Sequence, residues 1–152
     1  MTPMWTDDQN TLLVAILDEL IPPSSDGRVP GAGQLEVAEF FPTATQYAPD
    51  PVAAVNEVLT FVIDQGNFLD ADRNGKIAIL KRAEVEHPQA FEILIRLTYM
   101  GYYSRPDTRP LFGVGAHPIH PTGYDVAPES AAEMAALTAP VRVRGKVYRD
   151  GT

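Results

Sequence analysis

Apolar residues recur along the first hundred positions at spacings of three and four, the period of a helix with one buried face. Leu12, Leu13, Ile16, Leu17, Leu20 and Ile21 form the first such run. Thr6 stands where an N-cap belongs, Asp7 and Asp8 fall where the helix dipole favours acids, and Pro22-Pro23 ends the run. The stretch 24–33 is turn-forming throughout, and Leu35, Val37, Ala38, Phe40 and Phe41 predict a short apolar helix that Pro42 limits. Asp50 or Pro51 opens a longer run through Val52, Val55, Leu59, Val62 and Ile63. After a turn at 70–75, Ile77, Leu80 and Ala83 predict a helix as far as His87-Pro88. Phe91, Leu94, Ile95, Leu97 and Thr98 then give the most apolar helix of the chain, ending near Gly101-Tyr102-Tyr103, and its composition places it at the centre of the fold.

Past Ser104 the pattern breaks. Five prolines and three glycines between 105 and 128 forbid a continuous helix or a central strand. Leu111, Phe112, Val114, Ile119, Tyr124 and Val126 are nonetheless too apolar for a free linker, so this reads as a long ordered loop of the kind that docks or carries function. Residues 128–138 predict a short helix, and Val141-Arg142-Val143-Arg144 alternates like a short C-terminal strand. The pattern predicts one all-α domain over 1–152 with five to six helices: a helical body over 1–104, then an irregular Pro/Gly-rich third of loop, short helix and basic tail over 105–152.

A chain of 152 residues is long enough to bury roughly 70% of its unfolded surface in one core. The net charge of −8 argues against a phosphate-backbone partner, so no nucleic acid is expected. Residues 139–152 depart from that balance: Arg142, Arg144, Lys146 and Arg149 against Asp150 give +3 locally and leave −11 on the rest. A basic tail on an acidic body invites a contact. Without cysteine the chain has no thiolate metal ligand, iron–sulfur site or thiol nucleophile. No apolar stretch approaches the ~20 residues of a membrane helix, so direct insertion is not expected. The first ten residues read as neither a secretory nor a twin-arginine signal, which points to the cytoplasm, or to the periplasm only alongside a partner that carries the signal.

Two segments invite a catalytic or metal reading. Asp70-Ala71-Asp72-Arg73-Asn74-Gly75-Lys76-Ile77 matches the opening of a calcium EF-hand loop, but Lys81 stands where the bidentate carboxylate belongs. The competing reading is an Asp/Asn/Gly turn that caps the next helix. His117-Pro118-Ile119-His120-Pro121 pairs two imidazoles without neighbouring carboxylates, and the prolines impose extended geometry on both. A calcium module on 70–75 and a small metal-dependent enzyme on His117 and His120 therefore stand as rivals. No nucleophile motif is present, and Gly113-Val114-Gly115 lacks the third glycine and the βαβ context of a dinucleotide site. No catalytic, metal or cofactor-binding residue is expected in this chain.

Tyr99, Tyr102 and Tyr103 carry more weight. Three tyrosines within five helical residues cannot all face one core at 100° per residue, and a ring with a polar tip suits an interface.

Three segments together resemble the third, small subunit of the gluconate 2-dehydrogenase family. The first is Leu17-Asp18-Glu19-Leu20-Ile21-Pro22 with Asp26-Gly27 and Pro30-Gly31-Ala32 behind it. The second runs from Phe91 to Met100-Gly101-Tyr102-Tyr103-Ser104-Arg105-Pro106, and the third continues to Pro121-Thr122-Gly123-Tyr124. The resemblance covers about residues 12–125. It implies a non-catalytic accessory chain, with a chaperone or escort role, for a large flavoprotein of the glucose-methanol-choline (GMC) type that binds FAD and oxidises a sugar or another alcohol. On that reading the partner interface draws on Tyr99, Tyr102, Tyr103, Pro106, Phe112, His117, His120, Tyr124, Arg142 and Arg144, and the FAD belongs to the partner.

Overall fold

The first helix, α1 (Asp7–Leu20), begins at a reciprocal cap: the Thr6 hydroxyl accepts from the Gln9 amide at 3.3 Å, and the Gln9 side chain accepts from the Thr6 amide at 3.0 Å. The computed structural model describes residues 4–115 and 129–145, which fall in two units, Met1–Pro118 and Ile119–Thr152. Among the described residues the regular elements are all helical. In the first unit they are α1, a 3₁₀ helix at Val37–Thr43, α2 (Pro51–Asp64), α3 (Arg73–Glu86), α4 (Pro88–Tyr103) and a 3₁₀ turn at Arg109–Phe112.

Each start has a local cause. Asp50 accepts from the Ala53 amide at 2.9 Å with Pro51 in the first turn of α2, and Asp72 accepts from the Gly75 amide at 2.8 Å to open α3. Pro88 stands in the first turn of α4, and His87 ends α3 and begins α4 at once. His87 Nδ1 lies 2.7 Å from Glu57 Oε1, and its ring meets the edge of Phe61, so the joint is tied to α2.

The core of this unit forms where α4 packs along α2. Ala90, Phe91, Leu94, Leu97, Thr98, Gly101 and Tyr102 make one buried face of α4, matched by Ala54, Val55, Val58, Leu59, Phe61 and Val62 on α2. Full burial of a Leu, Val or Phe stabilises by about 1.5–3 kcal/mol, which offsets the cost of ordering the chain. From α1, Leu12, Leu13, Ile16 and Leu17 close the same core, and Trp5 pins the helix start to α2 through a 2.8 Å bond to Asn56 Oδ1. By contrast α3 buries only Leu80 and Ala83.

The apolar segment before Pro42 forms a 3₁₀ helix over Val37–Thr43 rather than the short apolar helix read from its pattern, and Pro42 sits inside it. Its tighter winding is compatible with a proline over so short a run. Gly101 accepts this segment against α4: a Cβ there would stand 2.7 Å from Val37 Cγ1 and 3.1 Å from Phe40.

In the second unit, α5 (Ala131–Arg144) corrects two expectations. The helix predicted over 128–138 runs on to Arg144, and the strand expected at 141–144 is its last turn. A reciprocal Ser130–Glu133 cap starts it, and Arg142 and Arg144 lie at its C-terminal end, where the dipole favours cations. These local preferences outweigh a two-residue alternation only four residues long.

Candidate partner-docking surface

α4 keeps a buried face to its C-terminal end, and its tyrosines separate there. Residue 102 lies four beyond Thr98 and eight beyond Leu94, on the buried face; residues 99 and 103 lie on the opposite side. Tyr102 is fully buried, whereas Tyr99 is 46% and Tyr103 40% exposed. Tyr102 therefore supports the exposed rings from beneath, and its own ring does not face solvent. Its hydroxyl donates to the Pro30 carbonyl at 2.7 Å, and burial, reinforced by Tyr103 and Asp107, pushes its pKa upward.

The chain leaving α4 is held in a fixed turn. Arg105 donates from Nε and Nη2 to the two Asp107 oxygens, each at 2.9 Å, and from Nη1 to the Leu35 carbonyl at 2.9 Å. That bidentate bond is the main cause of the raised Arg105 pKa and the lowered Asp107 pKa. The buried Thr108 hydroxyl sits 2.5 Å from the Tyr102 carbonyl, to which it donates, and 3.2 Å from the Arg105 carbonyl. Gly113, at φ 73°, supplies the left-handed residue that ends the 3₁₀ turn, and Arg109 Nε donates to the Gly115 carbonyl at 2.8 Å.

This turn carries Phe112 back to the tyrosines. Ring centroids are 5.7 Å apart for Tyr99–Tyr103, 5.1 Å for Tyr103–Phe112 and 4.9 Å for Tyr102–Tyr103, the last two edge-to-face. Phe112 is exposed, and so are its neighbours in sequence Leu111 and Val114. The result is a solvent-facing aromatic ladder built on one buried ring. It offers apolar ring faces and two phenol hydroxyls, groups suited to holding a partner.

Compared with known proteins, the chain matches no family model, no curated protein and no solved structure.

Of the other residues expected at the interface, Pro106 is exposed in the turn after α4, and Arg142 and Arg144 are exposed on α5 in the second unit. His117, His120 and Tyr124 lie outside the described residues. Leu111 and Val114, whose apolar character in a proline-rich stretch marks them in the sequence, are exposed beside Phe112, whereas the anchoring bonds of Arg105 and Thr108 have no such signal. The Asp70–Lys81 segment is helical from Arg73 onward, with Asp72 committed to the α3 cap, so the backbone lacks the extended ligand loop of an EF-hand. Among the described residues, no group of three or more His, Cys, Asp or Glu is placed to hold a metal ion, and no helix is long and apolar enough to cross a membrane.

Proposed function

We propose that this chain is a non-catalytic small subunit that binds, stabilises and helps mature a GMC-type, FAD-dependent oxidoreductase acting on a sugar, glycoside or other alcohol. The observation that carries the docking role is the Tyr99–Tyr103–Phe112 ladder, exposed to solvent yet mounted on the core through Tyr102, Thr108 and Arg105. Rigid aromatic anchors lose little conformational freedom on binding, and interface hot spots are enriched in them. The kind of partner comes from the resemblance of residues 12–125 to the gluconate 2-dehydrogenase small subunit.

An ordinary stable interface engages ~20–30 residues a side, so the ladder is the anchor of a larger footprint. Catalysis, substrate and FAD belong to the large subunit; the contribution of this chain is to cover a surface that the flavoprotein cannot expose while it folds and loads its cofactor. Co-expression with a GMC-type flavoprotein of the same genome tests this. The expected product is a yellow complex with alcohol dehydrogenase activity, whereas this chain purified alone is colourless and inactive. If no flavoprotein co-purifies, the assignment fails.

A further inference from the structure

A cavity of about 490 Å³ opens between the first turn of α1, the end of α2 and the loop that follows it, on residues the docking ladder does not use. Volumes of ~300–1,000 Å³, apolar walls and a few polar groups characterise small-molecule sites. Here Leu12, Val62 and Phe68 form buried walls, while Ile63 and Leu69, each about half exposed, form an apolar mouth. The chain reaches this shape through two consecutive left-handed residues, Gly66 at φ 63° and Asn67 at φ 53°, which turn it sharply after α2 into Phe68. Asparagine tolerates that conformation better than most residues.

The polar lining is one-sided. The Thr6 hydroxyl and the Gln9 side-chain oxygen are engaged with each other's backbone in the α1 cap. Asp8 and Asp70 are the charged lining residues, both carboxylates, and neither has an ion pair or side-chain hydrogen bond among the described residues. Among the described residues, Lys76 lies against this wall, its ammonium 5.9 Å from the Phe68 ring centroid and outside the lining. We infer that the cavity is a binding site for a small amphiphile with an apolar body and a protonated amine head. The body fills the space over Leu12, Val62 and Phe68, and the ammonium meets the Asp8 and Asp70 carboxylates at the rim.

The test uses the full chain, isotopically labelled, titrated separately with n-octylamine, 1-octanol and octanoate while the amide signals of Gly66, Asn67 and Phe68 are followed. The expected result is saturable binding in the order amine, alcohol, carboxylate, with the amine about five- to tenfold tighter than the carboxylate, as two exposed carboxylates acting together allow. Replacing both carboxylates (Asp8→Asn with Asp70→Asn) should abolish the preference for amine over octanol and leave octanol binding unchanged; both sites are exposed, so folding is retained. No saturable shift with any probe, equal affinity for all three, or an amine preference that survives the double substitution would each overturn the inference. No flavoprotein takes part, so the outcome is independent of the proposed subunit role.

Discussion

The Tyr102 hydroxyl donates a 2.7 Å hydrogen bond to the Pro30 carbonyl, joining the end of α4 to the loop after α1 across 72 positions of sequence. Arg105 repeats the connection with its bond to the Leu35 carbonyl. On the other side of the loop, Asp18 of α1 accepts from the Gly33 amide at 2.8 Å, and a Cβ at Gly31 or Gly33 would collide with the Asp18 carboxylate. The segments around Asp18, Pro30-Gly31 and Tyr102, on which the proposed subunit role draws, hold one loop against two helices, and the exposed aromatic ladder is displayed by the same construction.

Removing the Tyr102 hydroxyl tests this joint. Tyr102→Phe leaves the ring in place but deprives the Pro30 carbonyl of its donor, and the expected loss is about 1–2 kcal/mol in urea unfolding. Tyr102→Ala also opens a cavity under Tyr103 and Phe112 and should cost about 3–5 kcal/mol. A Tyr102→Phe chain as stable as the parent would show that the bond contributes nothing.

Asp26 gives a pH signature for the same loop. The Ser24 hydroxyl, donating at 2.6 Å, and the Arg28 side chain and amide hold its pKa at about 2, below the ordinary 3.8. A depressed carboxylate contributes stability above its unfolded pKa, and that contribution disappears as pH falls from about 3.8 through about 2. A carboxyl NMR titration should therefore place Asp26 near 2, and Ser24→Ala should move it upward. A midpoint that stays put in the variant would remove Ser24 as the main cause.

Calcium is tested through Asp72. If this residue serves α3 as its cap, Asp72→Ala should lower stability by about 1 kcal/mol with or without added calcium. Titration of the parent chain should give no binding tighter than millimolar, because Lys81 occupies the position of the bidentate ligand. A micromolar isotherm abolished by Asp70→Ala would instead establish a calcium module.

Helix positions were legible wherever a cap or proline coincided with a change of pattern, as at Thr6, Asp50-Pro51 and Pro88. The alternation of Val and Arg at 141–144 suggests a strand, but the Ser130–Glu133 cap commits the segment to helix eleven residues earlier. The burial of Tyr102 has a cause that the sequence carries. Its place four residues beyond Thr98 continues the buried stripe, but its neighbours Tyr99 and Tyr103 made the three look like one group. The turn at Thr108 uses the nearby Tyr102 and Arg105 carbonyls, but its fixing to the body of the fold rests on the bond from Arg105 to the Leu35 carbonyl 70 positions away, which no local pattern announces.

If the exposed ladder holds a flavoprotein during its maturation, as proposed, its loss should show in the amount of FAD-loaded large subunit recovered with tagged small subunit after co-expression. Tyr99→Ala with Tyr103→Ala removes two exposed rings and should leave the fold intact, as its helical circular dichroism would show. Loss of interface anchors costs about 2 kcal/mol or more each at a hot spot. The expected result is a severalfold or greater fall in recovered FAD-loaded complex, with little change in turnover per flavin in the complex that survives, and no effect of Glu86→Ala on the exposed face of α3. A large subunit that folds, loads FAD and turns over equally well with the double variant, or without this chain at all, would contradict it.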